Sequence, residues 1–233
     1  MDKIDVLDHG FVRLVESMGS DLSVVRAARV SYDAAWRSGE DEGSDARLIR
    51  YLWRNKHTSP FEAVEFQFEV KAPIFVFRQW HRHRTWSFNE LSARYRQLPE
   101  EFYAPDLAVI GVQSTVNKQA RTVEEMSPDD EYRRTVQLEN YRNHCEDSFA
   151  LYRDMIEKEW PRELARAVLP VSTYSHMFAK VDLRNLLGFL DLRCHPHAQH
   201  EIRVYADAMR TLAQKVAPIC IAAWEDYRAQ DQQ

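Results

Sequence analysis

Between Val64 and Val70 apolar and polar residues alternate without a break: Val64, Phe66, Phe68 and Val70 against Glu65, Gln67 and Glu69. Successive side chains of an extended chain point to opposite faces, so this segment is satisfied only as a strand with one buried and one wetted face. Such a strand needs partners and a cover, and helical periodicity elsewhere supplies the cover. Residues 21–35 predict a helix with Val24, Val25, Ala28 and Val30 on its apolar side and Asp21 or Ser20 as cap. Ser44 is placed to cap a second helix, striped by Leu48, Ile49, Leu52 and Trp53. Pro73 can open a third, from Ile74 to His83. Ser127 and Pro128 introduce a long helix through Tyr132, Val136, Tyr141, Cys145, Phe149, Tyr152 and Ile156. Pro161 opens a short one, residues 183–192 read as another, and His197 to Val216 is amphipathic through Ile202, Tyr205, Met209 and Leu212. Ile4 to Leu7 and Ser175 to Val181 are further strand candidates, and residues 104–128 predict a long surface loop. Strands are few and do not alternate regularly with helices. The class predicted is α+β: one helix-rich domain, residues 1–233, with a small antiparallel or mixed sheet.

Composition narrows the function. The net charge of −5 argues against a general polyanion binder, so any anion site must come from local arginine clusters. No G-x-G-x-x-G or Walker loop is present, which disfavours a Rossmann-type dinucleotide site. Cys145, Cys194 and Cys220 are odd in number and outside any C-x-x-C pattern, as suits a reducing compartment. The polar start, MDKIDVLDHG, has no apolar leader, and no stretch reaches ~18 uncharged apolar residues. A soluble, cytoplasmic protein with no membrane partner is expected.

The chemistry concentrates between Arg82 and Arg94, where three arginines, one histidine, two serines, an asparagine and a glutamate fall within thirteen residues. Guanidinium forks bind phosphate bidentately. Ser87, Asn89 and Ser92 add neutral hydrogen bonds, and Trp86 and Phe88 can wall a planar ring. The bland alternative is a solvated basic helix end paired to carboxylates. Against it, the cluster follows directly on the apolar run Ile74-Phe75-Val76-Phe77, a core element able to hold a site rigidly. If residues 88–95 are extended, Glu90, Ser92 and Arg94 share one face.

The spacing Arg82-His83-Arg84, seven residues, Ser92 resembles the signature of the flavin-dependent thymidylate synthases. The resemblance continues through Leu22 to Ser31, His57 to Glu62, Lys71 to Trp80, Pro161 to Pro170, Arg184 to Arg193 and His197 to Glu201, in order along nearly the whole chain. It implies methylation of dUMP to dTMP with FAD, NADPH and 5,10-methylenetetrahydrofolate, in a homotetramer whose active sites are shared between chains. It matches Gln79, Arg82, Glu90, Leu91, Ser92, Ala93, Arg94, Arg166 and Arg193 to dUMP. It matches Ser59, Arg82, His83, Arg84, Glu90, Asp182, Arg184, Gly188 and His197 to FAD. Arg193 matches the arginine that activates uracil, and His57 and Glu62 match active-site positions of less settled role. Asp182 and Gly188 stand where the family often carries a side chain that can donate, which weakens those two contacts.

These roles are chemically reasonable. A guanidinium, with a pKa of roughly 12.5 or above, is a poor base but a strong stabiliser of negative charge on a pyrimidine. Ser92 lacks an evident neighbouring base and is expected to donate a hydrogen bond rather than act as nucleophile. Cys194, His195, His197 and His200 are close in sequence but lack zinc-site spacing, so no metal is expected. A single-stranded nucleic-acid module using Arg82, Arg84, Arg94 and Arg96 with Trp80, Trp86 and Tyr95 is the other alternative, and the acidic net charge opposes it.

Overall fold

The computed structural model describes residues 2–116, 120–123 and 126–231. The chain opens with two antiparallel strands, β1 (Lys3–Val6) and β2 (Gly10–Met18), followed by α1 (Asp21–Arg29). α1 stops short of the expected residue 35. Two 3-10 turns, Val30–Tyr32 and Ala35–Arg37, flank Asp33, whose left-handed backbone (φ 50°) cannot continue a right-handed helix. α2 (Glu42–Arg54) is capped by Asp41 rather than Ser44; the Asp41 carboxylate accepts from the Ser44 N–H at 3.0 Å.

β3 (Glu65–Pro73) is the alternating strand, and α3 (Ile74–Trp80) follows with no loop between them. α3 ends before His83: the chain tightens there, the His83 N–H donating to the Trp80 carbonyl at 2.9 Å, and turns into β4 (Ser87–Glu90). β4 ends at Glu90. The Tyr95 N–H closes a turn on the Ser92 carbonyl (3.0 Å), so Glu90, Ser92 and Arg94 do not share one extended face. The segment expected as loop carries α4 (Leu107–Ile110) and a hairpin of β5 (Val112–Gln113) and β6 (Arg121–Thr122).

α5 (Pro128–Glu157) is capped by Ser127, as expected, but buries only part of its apolar series: Cys145, Phe149 and Tyr152 are inside, joined by Leu138, which the series did not include, and Tyr132 is 72% exposed. Then come α6 (Arg162–Ala165), β7 (Tyr174–Asp182), α7 (Leu183–Arg193), α8 (His200–Gln214) and α9 (Pro218–Asp231).

The main sheet is antiparallel throughout, in the order β1-β2-β3-β7-β4. Its register pairs Phe66 with Val181, Phe68 with Ala179, and Val70 with both Met177 and Val12, all buried. That face forms one apolar cluster with α3, α7, α8 and α9. Trp80 is its joint: fully buried, it stacks on Phe189 of α7 (centroids 5.0 Å) and meets Trp86 (5.7 Å) and Tyr205 of α8 (6.3 Å) edge-on.

Asp21 does not cap its own helix. Its carboxylate accepts from the N–H groups of Ile219 (3.1 Å) and Cys220 (2.9 Å), capping α9 from 198 residues away. Asp21→Ala should lower the unfolding free energy by about 1–2 kcal/mol, and Asp21→Asn, which keeps an acceptor, by less. Equal midpoints for both variants and the parent in urea titration would show the cap to be idle.

Candidate functional site

The resembled site residues gather at both flanks of α3. One turn of helix separates Ile74 from Phe77 and Arg78, and Phe77 and Arg78 from His81. These four line a cleft of about 600 Å³. Across it lie Glu90, Leu91, Ser92 and Ala93 from the end of β4, Glu163 of α6 and Arg166 just after that helix. Arg94 stands at the rim, 3.7 Å from Glu163. The Ser92 Oγ accepts from the Arg94 N–H (3.3 Å), which leaves its own O–H to donate, and among the described residues no histidine bonds to it. Glu90 accepts from the Ser175 hydroxyl at 2.7 Å. Arg78, His81 and Ser175 were absent from the expected set. For Arg78 and His81 the signal was available, because helical period places them with Ile74 and Phe77.

Gln79 leaves α3 on the opposite flank, with Arg193. Arg193 ends α7; its Nε donates to His83 Nε2 (3.0 Å) and its Nη2 to the Gln79 carbonyl (3.3 Å). Burial, then the neighbouring Arg193 charge, lower the His83 pKa to about 4. At neutral pH the ring therefore carries its proton on Nδ1 and offers Nε2 as acceptor. Burial also lowers the Arg193 pKa, and a guanidinium is a cation at neutral pH. The cation is thus held by a neutral imidazole and a peptide carbonyl, neither of which cancels its charge.

A third group lies where α7 begins. Asp182 caps the helix, its two oxygens taking the N–H (2.9 Å) and side-chain amide (2.6 Å) of Asn185. Arg184 pairs with Glu62, on the 3-10 turn that also carries the exposed Ser59. His57 is exposed just beyond α2. One helical turn past Arg184, Gly188 faces open space: a Cβ there would meet nothing within 4 Å. Arg82 and Arg84 are exposed on the turn after α3, and among the described residues neither forms an ion pair. Uncommitted guanidinium groups, a hydroxyl and a helix face bare at Gly188 fit a flat group with a diphosphate tail.

Cys194 behaves as a structural residue. The Cys194 thiol is pushed up to about 12 by burial, by the charge of Asp207 and by the bond to it, so it is no thiolate at neutral pH. His197 is exposed, its N–H on His195 Nδ1 at 3.1 Å. Among the described residues no three His, Cys, Asp or Glu side chains converge as a metal site, and no helix is long and apolar enough to cross a membrane.

The expected dUMP set is therefore divided within one chain. Glu90, Leu91, Ser92, Ala93 and Arg166 line the cleft, whereas Gln79 and Arg193 lie beyond α3. The His83 state is checked by NMR of the ring nitrogens. The ring should remain neutral down to about pH 5, because protonation removes the lone pair that holds Arg193. Protonation already complete at pH 6 would contradict this geometry.

The family model described as thymidylate synthase complementing protein matches residues 13–219. The chain is 45% identical over 225 residues to a flavin-dependent thymidylate synthase of Treponema pallidum (strain Nichols), covering 97% of this chain and 72% of that one. It is 47% identical over 224 residues to another from Thermus thermophilus, covering 96% and 78%. Among solved structures it is similar to the UMP/dUMP methylase PolB from Streptomyces cacaoi. With 5-Br dUMP bound, that structure gives 39% identity, 96% and 97% coverage and a TM-score of 0.84; with 5-Br UMP bound, the TM-score is 0.82.

Proposed function

The chain belongs to the thymidylate synthase complementing protein family, that of the flavin-dependent thymidylate synthases, and from this premise we propose how its residues carry the family's reaction. dUMP, 5,10-methylenetetrahydrofolate, NADPH and a proton give dTMP, tetrahydrofolate and NADP⁺. Bound FAD supplies the hydride chemistry between reductant and transferred carbon.

The observation that carries the reading is the state of Arg193. Uracil is activated at C5 when negative charge developing on the carbonyls that flank N3 is stabilised, with N3 still carrying its hydrogen. Arg193, half-buried beside a neutral His83, meets that charge with its own charge uncompensated. In a drier site the attraction strengthens. Arg193 activates the ring without removing a proton by itself. Arg166, with Arg94 and the Ser92 hydroxyl, binds the nucleotide phosphate, and Glu90, Leu91 and Ala93 shape the cleft. Ser59, Arg82, His83, Arg84 and Arg184 would hold FAD, the guanidinium groups suiting its diphosphate and the open face at Gly188 suiting a flat ring, with Glu90, Asp182 and His197 as weaker contacts. The protonated Cys194 plays no nucleophilic part.

The same premise, with the division of the site by α3, supports a homotetramer in which one chain's cleft faces another chain's Gln79 and Arg193. Exposed Tyr132, Leu151, Trp36 and Leu164 supply apolar surface for such an assembly.

Two experiments test the reading. Arg193→Ala should keep the flavin spectrum and lose roughly 10²–10³-fold in dTMP formation; full turnover in that variant would remove Arg193 from the chemistry. Mixing Arg166→Ala with Arg193→Ala chains, each inactive alone, should restore about a quarter of the parental activity if each site draws on two chains at random. No recovery after verified subunit exchange would place all the groups on one chain.

A further inference from the structure

Behind Gln79 a series of hydrogen bonds runs in one direction. Glu201 of α8 is 2% exposed. Its Oε1 accepts from the Tyr103 hydroxyl (3.1 Å) and from Nη2 of Arg121 on β6 (2.9 Å), and its Oε2 accepts from Nε2 of Gln199 (2.8 Å). Burial alone would raise the Glu201 pKa, but the bonds from Gln199 and its own N–H, with the Arg121 charge, hold it below its ordinary value. Tyr103, raised by burial and by Glu201, keeps its proton and can only donate to the carboxylate. The anchor is therefore ionised and purely an acceptor.

That fixes the next group. An amide has one NH₂ end and one oxygen end. Gln199 must give its NH₂ to Glu201, so its oxygen faces the other way, where it accepts from Nε2 of Gln79. That bond turns the Gln79 NH₂ toward Gln199, using one of its two N–H donors, and leaves Oε1, at the other end of the amide, as the acceptor for a ligand. Its main-chain carbonyl meanwhile holds Arg193. An oxygen at this place pairs with a ring N–H and opposes a ring lone pair. Uracil carries hydrogen on N3, where cytosine carries a lone pair.

We infer that Glu201 and Gln199 are positioning residues that hold the Gln79 amide with its oxygen toward the nucleotide, so that the site accepts a uracil ring and refuses a cytosine ring. The inference rests on the reading of Gln79 as a dUMP contact. It also gives the β5–β6 hairpin a task, because Arg121 ties that hairpin to the anchor.

The test uses the flavin-loaded protein and measures Kd for dUMP and for dCMP, with kcat and KM for dUMP, in Gln199→Leu and Glu201→Gln. Gln199 is exposed, so its replacement leaves the core untouched. With Gln79 free to rotate, dUMP binding should weaken by about tenfold and the preference for dUMP over dCMP should shrink by a similar factor. kcat should change by less than about threefold, because the groups at the reacting atoms remain. A merely structural role would not alter the ratio of the two affinities. If Glu201→Gln fails to fold, Gln199→Leu decides the matter. Parental discrimination in folded, flavin-loaded Gln199→Leu overturns the relay alone. A parental protein that binds no dUMP overturns the reading of the site itself, and the relay with it.

Discussion

Burial of Trp80 determines where the chemistry can be. Its indole is enclosed by Phe189, Trp86 and Tyr205, which belong to three other parts of the chain. An aromatic residue so placed contributes on the order of 3–5 kcal/mol. The larger effect is geometric. α3 has only seven residues and joins β3 without a loop, so pinning its last residue fixes the rotation of the whole helix. That rotation sends Phe77 and Arg78 into the cleft and Gln79 toward Arg193. His83 packs edge-on to the same Phe189 (4.9 Å), so the imidazole that holds Arg193 is seated by the core residue that seats Trp80.

Charge is arranged by a similar economy. Most of the arginines near the site are exposed; Arg94 and Arg184 pair with carboxylates at the surface, where such contacts are weak and exchangeable, while Arg121, farther back, pairs with the buried Glu201. Arg193 is different. It is half-buried, it ends a helix where the backbone dipole favours a cation, and its partners are neutral. The acidic net charge of the chain does not conflict with a site for anions, because what matters is which cations lack a local counter-charge.

The sequence made some of this legible and hid the rest for physical reasons. β3 was plain because its alternation is unbroken. β2 was not, because a register shift between Leu14 and Glu16 moves its pattern by one residue midway. α9 carried no recognisable start, since its cap is Asp21, a residue far away in sequence that looked like the cap of its own helix. The end of α1 depended on the backbone at Asp33, which apolar spacing does not encode. At the site, the run from Arg82 to Ser92 stood out by composition and by its likeness to a family. Its division by α3 did not, because it follows from the phase of a short helix set by tertiary packing. Glu201 is marked in the sequence only by the likeness of the stretch from His197; its burial and its link to Arg121 join segments some eighty residues apart.

The split of the proposed nucleotide groups between two flanks of one short helix bears on how much protein a cell must keep. If two chains are needed to close one site, the catalyst has a concentration threshold: below the dissociation constant of the assembly, correctly folded chains are silent. On that condition a newly made copy would not sequester nucleotide on its own, and supply of the product would rise more steeply than the amount of enzyme.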